Sequence, residues 1–256
     1  MTCLGVSYLT FSKMFRIIGL GSNQLLWGNV IKNWKSGLSA FFTQKTLFKT
    51  RPVIGIVHAF VAWGFSLYLI VNIIDVLYGF IPDFKFFPDN IIGNTYRLFV
   101  DLFSVFVLCG VFYFLIRRFL LQDQRLITKK PVLLSEIAVS GMRFDSLLVG
   151  AFIIIHVGSR FLSASFEIAG SHSDWSQPAA NMTARLWINL QPNTILLMEH
   201  ITWWLALGLI LLFLPYFPMS KHAHLFMGPL NIMAKEKRRS MASLEKIDFE
   251  DDTIEQ

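Results

Sequence analysis

The chain has 256 residues, of which 54% are hydrophobic and only 16% charged, with a mean hydropathy of +0.52. A soluble domain carries about 25% charged residues, so this composition excludes an ordinary soluble fold and points to a membrane. The net charge of +6 is not a nucleic-acid footprint: nineteen of the 23 Lys and Arg lie in residues 1–52, in 116–145 or after Ser220, and only Lys85, Arg97, Arg160 and Arg185 lie elsewhere.

Residues 1–50 read as a basic cytoplasmic or interfacial lead-in. Its opening, MTCLGVSYLTFSKMF, is apolar but too short and interrupted to span, and it has no signal-peptide cleavage site. The stretch NVIKNWKSGLSAFFTQ, residues 29–44, is amphipathic and suits the membrane surface. Four apolar runs follow, at 53–78, 96–116, 146–169 and 194–217. Each is long enough to cross about 30 Å of hydrocarbon at about 1.5 Å per residue. The expected fold is therefore an all-α membrane protein, a bundle of four transmembrane helices with an N-terminal amphipathic segment. Pro52 suits the first turn of the first span. The basic clusters put both termini and the second-to-third connection in the cytoplasm, as in a multi-pass protein of the inner membrane. The loop GFIPDFKFFPDNIIGN and the loop containing Trp175 and Trp187 then face outward, the second resting on the outer surface through its tryptophans. After Asn231 the composition turns polar, first basic (KEKRR) and then acidic (EDD). This divides the chain into 1–50, a membrane domain at 51–231 and a cytoplasmic tail at 232–256. Cys109 falls inside the second span as a small buried thiol. Without a Cys-x-x-Cys, the chain cannot ligate an iron–sulfur cluster itself.

The six histidines carry the chemistry. His58, His156, His200 and the pair His222 and His224 lie in spans or at their ends, and His172 lies in an outer loop. Ionisable residues in a span mark functional sites by default. The alternative is a neutral imidazole making one structural hydrogen bond. Two imidazoles can hold one iron from opposite sides. His58, seven residues past Arg51, and His224, at the cytoplasmic end of the last span, are the best-matched inner pair, although His58 lies about 10 Å deeper. His222 is the alternative ligand. Gly55, Ala59 and Ala62 flank His58 on its helix face, leaving space for a flat macrocycle or permitting close helix packing. Arg51 and Lys221 are placed to neutralise haem propionates or to snorkel to lipid headgroups. His156, with Ser159 and Ser163 on its face, and His200 either hold a second, outer haem iron or line a quinone pocket. Asp101 reads as the partner of Arg97, one turn away, or as part of that pocket.

The stretches RPVIGIVHAFVAWGF (residues 51–65) and SKHAH followed by GPLN (220–231) resemble the membrane haem b subunits related to the respiratory nitrate reductase gamma subunit. They are most similar to those attached to heterodisulfide-reductase-like iron–sulfur oxidoreductases. The resemblance covers about residues 16–235. It implies cytochrome b-type electron transfer with a quinone, usually menaquinone, and a cytoplasmic iron–sulfur partner, docked beneath His58 and His224 or following Gln256. His58 and His224 match the ligands of the cytoplasm-side haem. Two departures stand out. The nitrate reductase pattern has a second pair of histidines where this chain has Tyr68 and Ala206, and the resembled proteins commonly have a span before FRIIGLG. The expected function is thus a membrane electron-transfer subunit in the respiratory chain, with haem b as cofactor and quinone as substrate. The rival is a non-redox membrane protein, either a metal transporter or a passive anchor.

Overall fold

In the computed structural model, the described residues are 2–20, 27–81, 86–87, 90–126 and 135–234. They are mostly helical, with no strand among them. Four helices are long and apolar enough to cross a membrane. They are α4 (Pro52–Phe80), α5 (Ile91–Leu115, continued by a π-type turn over Ile116–Leu120), α6 (Glu136–Gly170) and α8 (Pro192–Phe213). Before them come α1 (Thr2–Gly19), α2 (Trp27–Thr43) and α3 (Lys45–Thr50). The short α7 (Pro178–Ala184) lies between α6 and α8, and α9 (His224–Ala234) closes the described chain. The polar tail beyond residue 234 lies outside the described residues.

Helix ends follow their capping chemistry. Pro52 occupies the first turn of α4, where its missing N–H leaves no bond unmade. Helix α5 starts before its apolar run because Asn90 Oδ1 accepts from the N–H groups of Ile92 and Gly93. Helix α6 starts ten residues before its apolar run, at a Ser135 cap that accepts from Ala138 N–H with Glu136 in the first turn. The apolar stripe marks only the part that crosses lipid. Helix α8 stops at Phe213, short of the expected end at 217, because Pro215 and Pro218 cannot donate helical hydrogen bonds.

Helix α6 packs against α5 and α8, and α5 packs against α4. Gly64 faces Val107 and Gly110 faces Val61, so α4 and α5 approach where each lacks a Cβ. The core is Tyr68, Val71, Val107, Val111, Val149, Ile153, Val157 and Phe213. Cys109, expected buried, is exposed on the outward side of α5, because Val107, Gly110 and Val111 take the inner face. Helices α4 and α8 meet at few points, and a cavity opens between them. The amphipathic α2 does not lie alone. It packs along α9, with Asn33 Nδ2 donating to Met233 O at 3.1 Å and Met233 filling the space over Gly37.

Candidate functional site

At the end of the bundle where α4 begins, α3 turns back onto it. A Cβ on Gly55 would stand 3.2 Å from Phe48 Cα, so the glycine admits the α3 backbone. The small residue therefore serves close helix packing here, while Ala59 and Ala62 are buried beside it. The turn into α3 passes through Gln44, whose φ of 44° is left-handed. That conformation costs a side-chain-bearing residue roughly 1 kcal/mol. It brings Gln44 Oε1 to 2.8 Å from His58 Nδ1.

From the other direction, α8 ends and residues 214–223 fold back over the bundle through two short 3₁₀ turns. Asp145 of α6 pins this turn at two points, accepting from Tyr216 Oη at 2.6 Å and Lys221 N at 3.3 Å. Burial and Asp145 push the Tyr216 hydroxyl up to about 12, so it remains a donor. Because the chain turns, His224 does not continue the axis of the last span. Its ring lies 6.3 Å, centre to centre, from that of His58, tilted by 46°. This removes the depth mismatch expected for a straight helix. His224 Nδ1 meets Lys221 O. A carbonyl only accepts, so Nδ1 carries the proton and Nε2 is left as a lone pair. With Gln44 Oε1 accepting, the same holds for His58. Fixing one ring nitrogen in this way is the usual second-layer device at metal-binding imidazoles.

Two metal–imidazole bonds of about 2 Å, with about 1 Å from each nitrogen to its ring centre, sum to about 6 Å. The observed spacing therefore suits one metal atom between the rings. Among the described residues no group of three or more His, Cys, Asp or Glu is placed to hold a metal ion. A bare ion would find two ligands here, whereas a metal carried in a four-nitrogen macrocycle needs two. Arg51 and Lys221 are exposed at this same end. His222 turns inward instead, against Phe65 at 4.9 Å and Phe213 at 5.5 Å, with its buried Nδ1 unpartnered. Burial, then the charges of Lys221 and His224, push it down to about 4, so it is neutral at physiological pH.

His156 lies further along the bundle, level with Tyr68, about 15 Å along α4 from His58. It is 4% exposed. Its Nδ1 is 3.0 Å from Ala206 O, Tyr68 meets its ring edge-on at 5.8 Å, and Phe152 stacks on it at 5.7 Å. Tyr68 and Ala206, where the resembled pattern has its second pair of histidines, thus both border His156. His200 is exposed on α8, six positions before Ala206, and the structure does not bring it to His156.

Two cavities meet at Tyr68. One, about 640 Å³, is almost wholly apolar and is lined by α1, α4, α6, α8 and the segment after α8. The other, about 720 Å³ and polar, lies further from His58 along the bundle and contains Asp75, Arg160, Tyr96, Glu167 and Glu199. Asp75 of α4 and Arg160 of α6 form a bidentate pair at 2.6 and 3.2 Å. Asp101 does not take the expected role beside Arg97. Its two oxygens accept from Ala179 N and Ala180 N, capping α7, while Arg97 meets Asp174 at 3.0 Å. The carboxylate serves α7 because the first-turn N–H groups there need an acceptor. The α6–α8 loop consequently folds into the end of the bundle opposite His58 instead of only resting on it. Trp187 donates to Ser165 Oγ and stacks on Phe166, whereas Trp175 stays exposed.

Gln44, Asp145 and Tyr216 escaped the sequence reading, since their partners are distant and no local pattern marks them. The one available signal was a polar Gln closing an amphipathic run.

Over 216 residues, 84% of its length, the chain is 29% identical to the probable iron-sulfur-binding oxidoreductase FadF of Bacillus subtilis (strain 168), covering 28% of that protein. Over 190 residues, 71% of its length, it is 25% identical to the EtfAB:quinone oxidoreductase of Syntrophomonas wolfei, covering 25% of that protein. The chain thus spans about a quarter of the length of these curated relatives. No family model matches it, and no solved structure is significantly similar. Both of these proteins are named as oxidoreductases.

Proposed function

We propose that the chain is the membrane electron-transfer part of a quinone-linked oxidoreductase. It holds haem b between His58 and His224 and passes electrons between a quinone and an iron–sulfur protein of heterodisulfide-reductase type on the cytoplasmic side. The observation that carries this reading is the pair of imidazoles 6.3 Å apart, each with Nδ1 on an acceptor. When bound, haem b supplies reversible one-electron chemistry at its iron. The chain's own residues do the rest. Gln44 and the Lys221 carbonyl hold the protons at Nδ1 and orient both rings. Arg51 and Lys221 offer positive charge to propionates at the same end, and the apolar helices exclude water. One relative is named as iron–sulfur-binding and the other as a quinone oxidoreductase. Two cysteines cannot supply the four thiolates of a cluster. The cluster ligands therefore belong to another subunit or to more of the same polypeptide.

A reduced-minus-oxidised absorption spectrum of the purified chain tests this. A low-spin b-type spectrum that disappears in both His58→Ala and His224→Ala supports the proposal. A chain purified without haem, and unable to take it up, overturns it.

A further inference from the structure

We propose that the apolar cavity between α4 and α8 binds the hydroxyl-bearing, reduced form of a hydrophobic ring through a hydrogen bond donated to His156 Nε2. The cavity disfavours the oxidised, carbonyl form. This rests on the quinone-linked reading above and adds to it a place in the fold and a redox form of the ligand.

The tautomer of His156 is the first step. Its Nδ1 faces the carbonyl of Ala206 at 3.0 Å, and a carbonyl can only accept, so Nδ1 bears the hydrogen. Nε2 is then an acceptor. It is buried and has no hydrogen-bond partner, on a residue only 4% exposed. Buried polar atoms are nearly always paired, and those that are not call for an explanation.

The surroundings supply no partner. His156 lines the cavity of about 640 Å³, where the other polar side chains are Tyr68 and Asn72. Tyr68 is already committed. Ser104 gives its proton to Val100 O, so the Tyr68 hydroxyl, 2.7 Å from Ser104 Oγ, must be the donor there. The volume falls within the range of about 300–1,000 Å³ usual for small-molecule sites, which are mostly apolar with a few placed polar groups. An aromatic wall suits a flat ring: Phe152 stacks on His156 at 6° and on Phe213 at 4.1 Å.

The chemistry of the occupant follows from the lone pair. A lipid chain fills the volume but donates nothing. A quinone presents two carbonyl oxygens, which also only accept and would oppose Nε2. A hydroquinone carries hydroxyls and donates. Sites built around one buried polar group reject analogues lacking its partner by large factors, up to about 10⁴-fold.

The test uses three naphthalene probes on the purified, fully oxidised full chain, so that no donor is present to reduce the quinone. They are 2-methyl-1-naphthol, its methyl ether and 2-methyl-1,4-naphthoquinone, with binding followed by quenching of tryptophan fluorescence. The naphthol should bind at least tenfold more tightly than the ether or the quinone. In H156F, which keeps a flat ring but has no acceptor, the three should bind within about twofold of one another. H156Q, which can restore an acceptor near Nε2, should recover part of the preference. Pyridine haemochrome assays in parallel should give the same haem content in wild type and H156F. The wild-type comparison stands whether or not the variants fold. Equal binding of the probes to wild type, binding of none, a preference that survives H156F, or loss of haem with His156 would each overturn the proposal. Wild type without haem defeats the proposed function instead, and leaves the naphthol preference measurable.

Discussion

His58 is oriented by a residue outside its own helix, and that dependence can be measured. Gln44 Oε1 accepts from Nδ1 across the α3 turn. Gln44→Leu keeps the bulk and removes the acceptor, so it should weaken haem retention by roughly 10–100-fold without abolishing ligation, the usual scale for such partners. Haem loss to apomyoglobin, followed by absorbance, reads this directly; retention equal to wild type means the bond does not orient the ring. On the proposed ligation, His58→Ala and His224→Ala should each remove the low-spin spectrum outright. His222→Ala should leave that spectrum largely intact, because the imidazole packs on Phe65 and Phe213. Loss of the spectrum in His222→Ala with retention in His224→Ala would reverse the assignment. His58 was legible in the sequence because an ionisable group stands alone in an apolar run. Gln44 was not, because fourteen residues and a left-handed turn separate it from its partner.

At the level of elements, apolar length gave the four spans, and caps and prolines decided their ends. Local composition does not reveal that α6 continues toward Ser135, since its first turns mix polar and apolar residues and lie before the apolar stretch. Nor does it reveal where the chain goes after Pro215, because that depends on Asp145, about seventy positions earlier in sequence. This clamp yields a prediction. Asp145→Ala removes the acceptor of Tyr216 and Lys221, so the 214–223 turn should loosen and His224 lose its position. Amide exchange in 214–224 should speed up, and haem should dissociate more readily, with α4 and α5 unaffected. Unchanged exchange would show that the prolines alone hold the turn. At the opposite end, Asp101→Ala removes two charge-assisted bonds to the start of α7. It should destabilise the α6–α8 loop by about 2–3 kcal/mol, the scale of hydrogen bonds to charged groups. Proteolysis within 171–191 in detergent measures this loss, and wild-type resistance in the variant would exclude a capping role.

Across the whole molecule, polarity is graded along the bundle. The imidazole pair lies at the basic end, His156 and an apolar cavity lie about 15 Å further along, and a polar cavity crossed by the Asp75–Arg160 pair lies beyond. The sequence showed Asp75 and Arg160 separately, 85 residues apart, but not as a pair. Only the packing of α5 against both α4 and α6 brings them together. Both groups are taken from water, so attraction and desolvation nearly offset. Removing one partner strands the other. Asp75→Leu or Arg160→Met alone should therefore destabilise the bundle by about 3–5 kcal/mol, whereas the double substitution should recover most of that loss. A double-mutant cycle of thermal unfolding in one detergent measures the coupling, since residues in direct contact are not additive. Single substitutions that cost little, or a double that costs their sum, would mean that water in the polar cavity solvates each group independently. A strong coupling instead makes this pair the fastener between the helix carrying His58 and the helix carrying His156, and so between the two candidate sites. The single variants should then also lose haem at temperatures where the wild-type chain keeps it, although neither residue lies near His58 or His224.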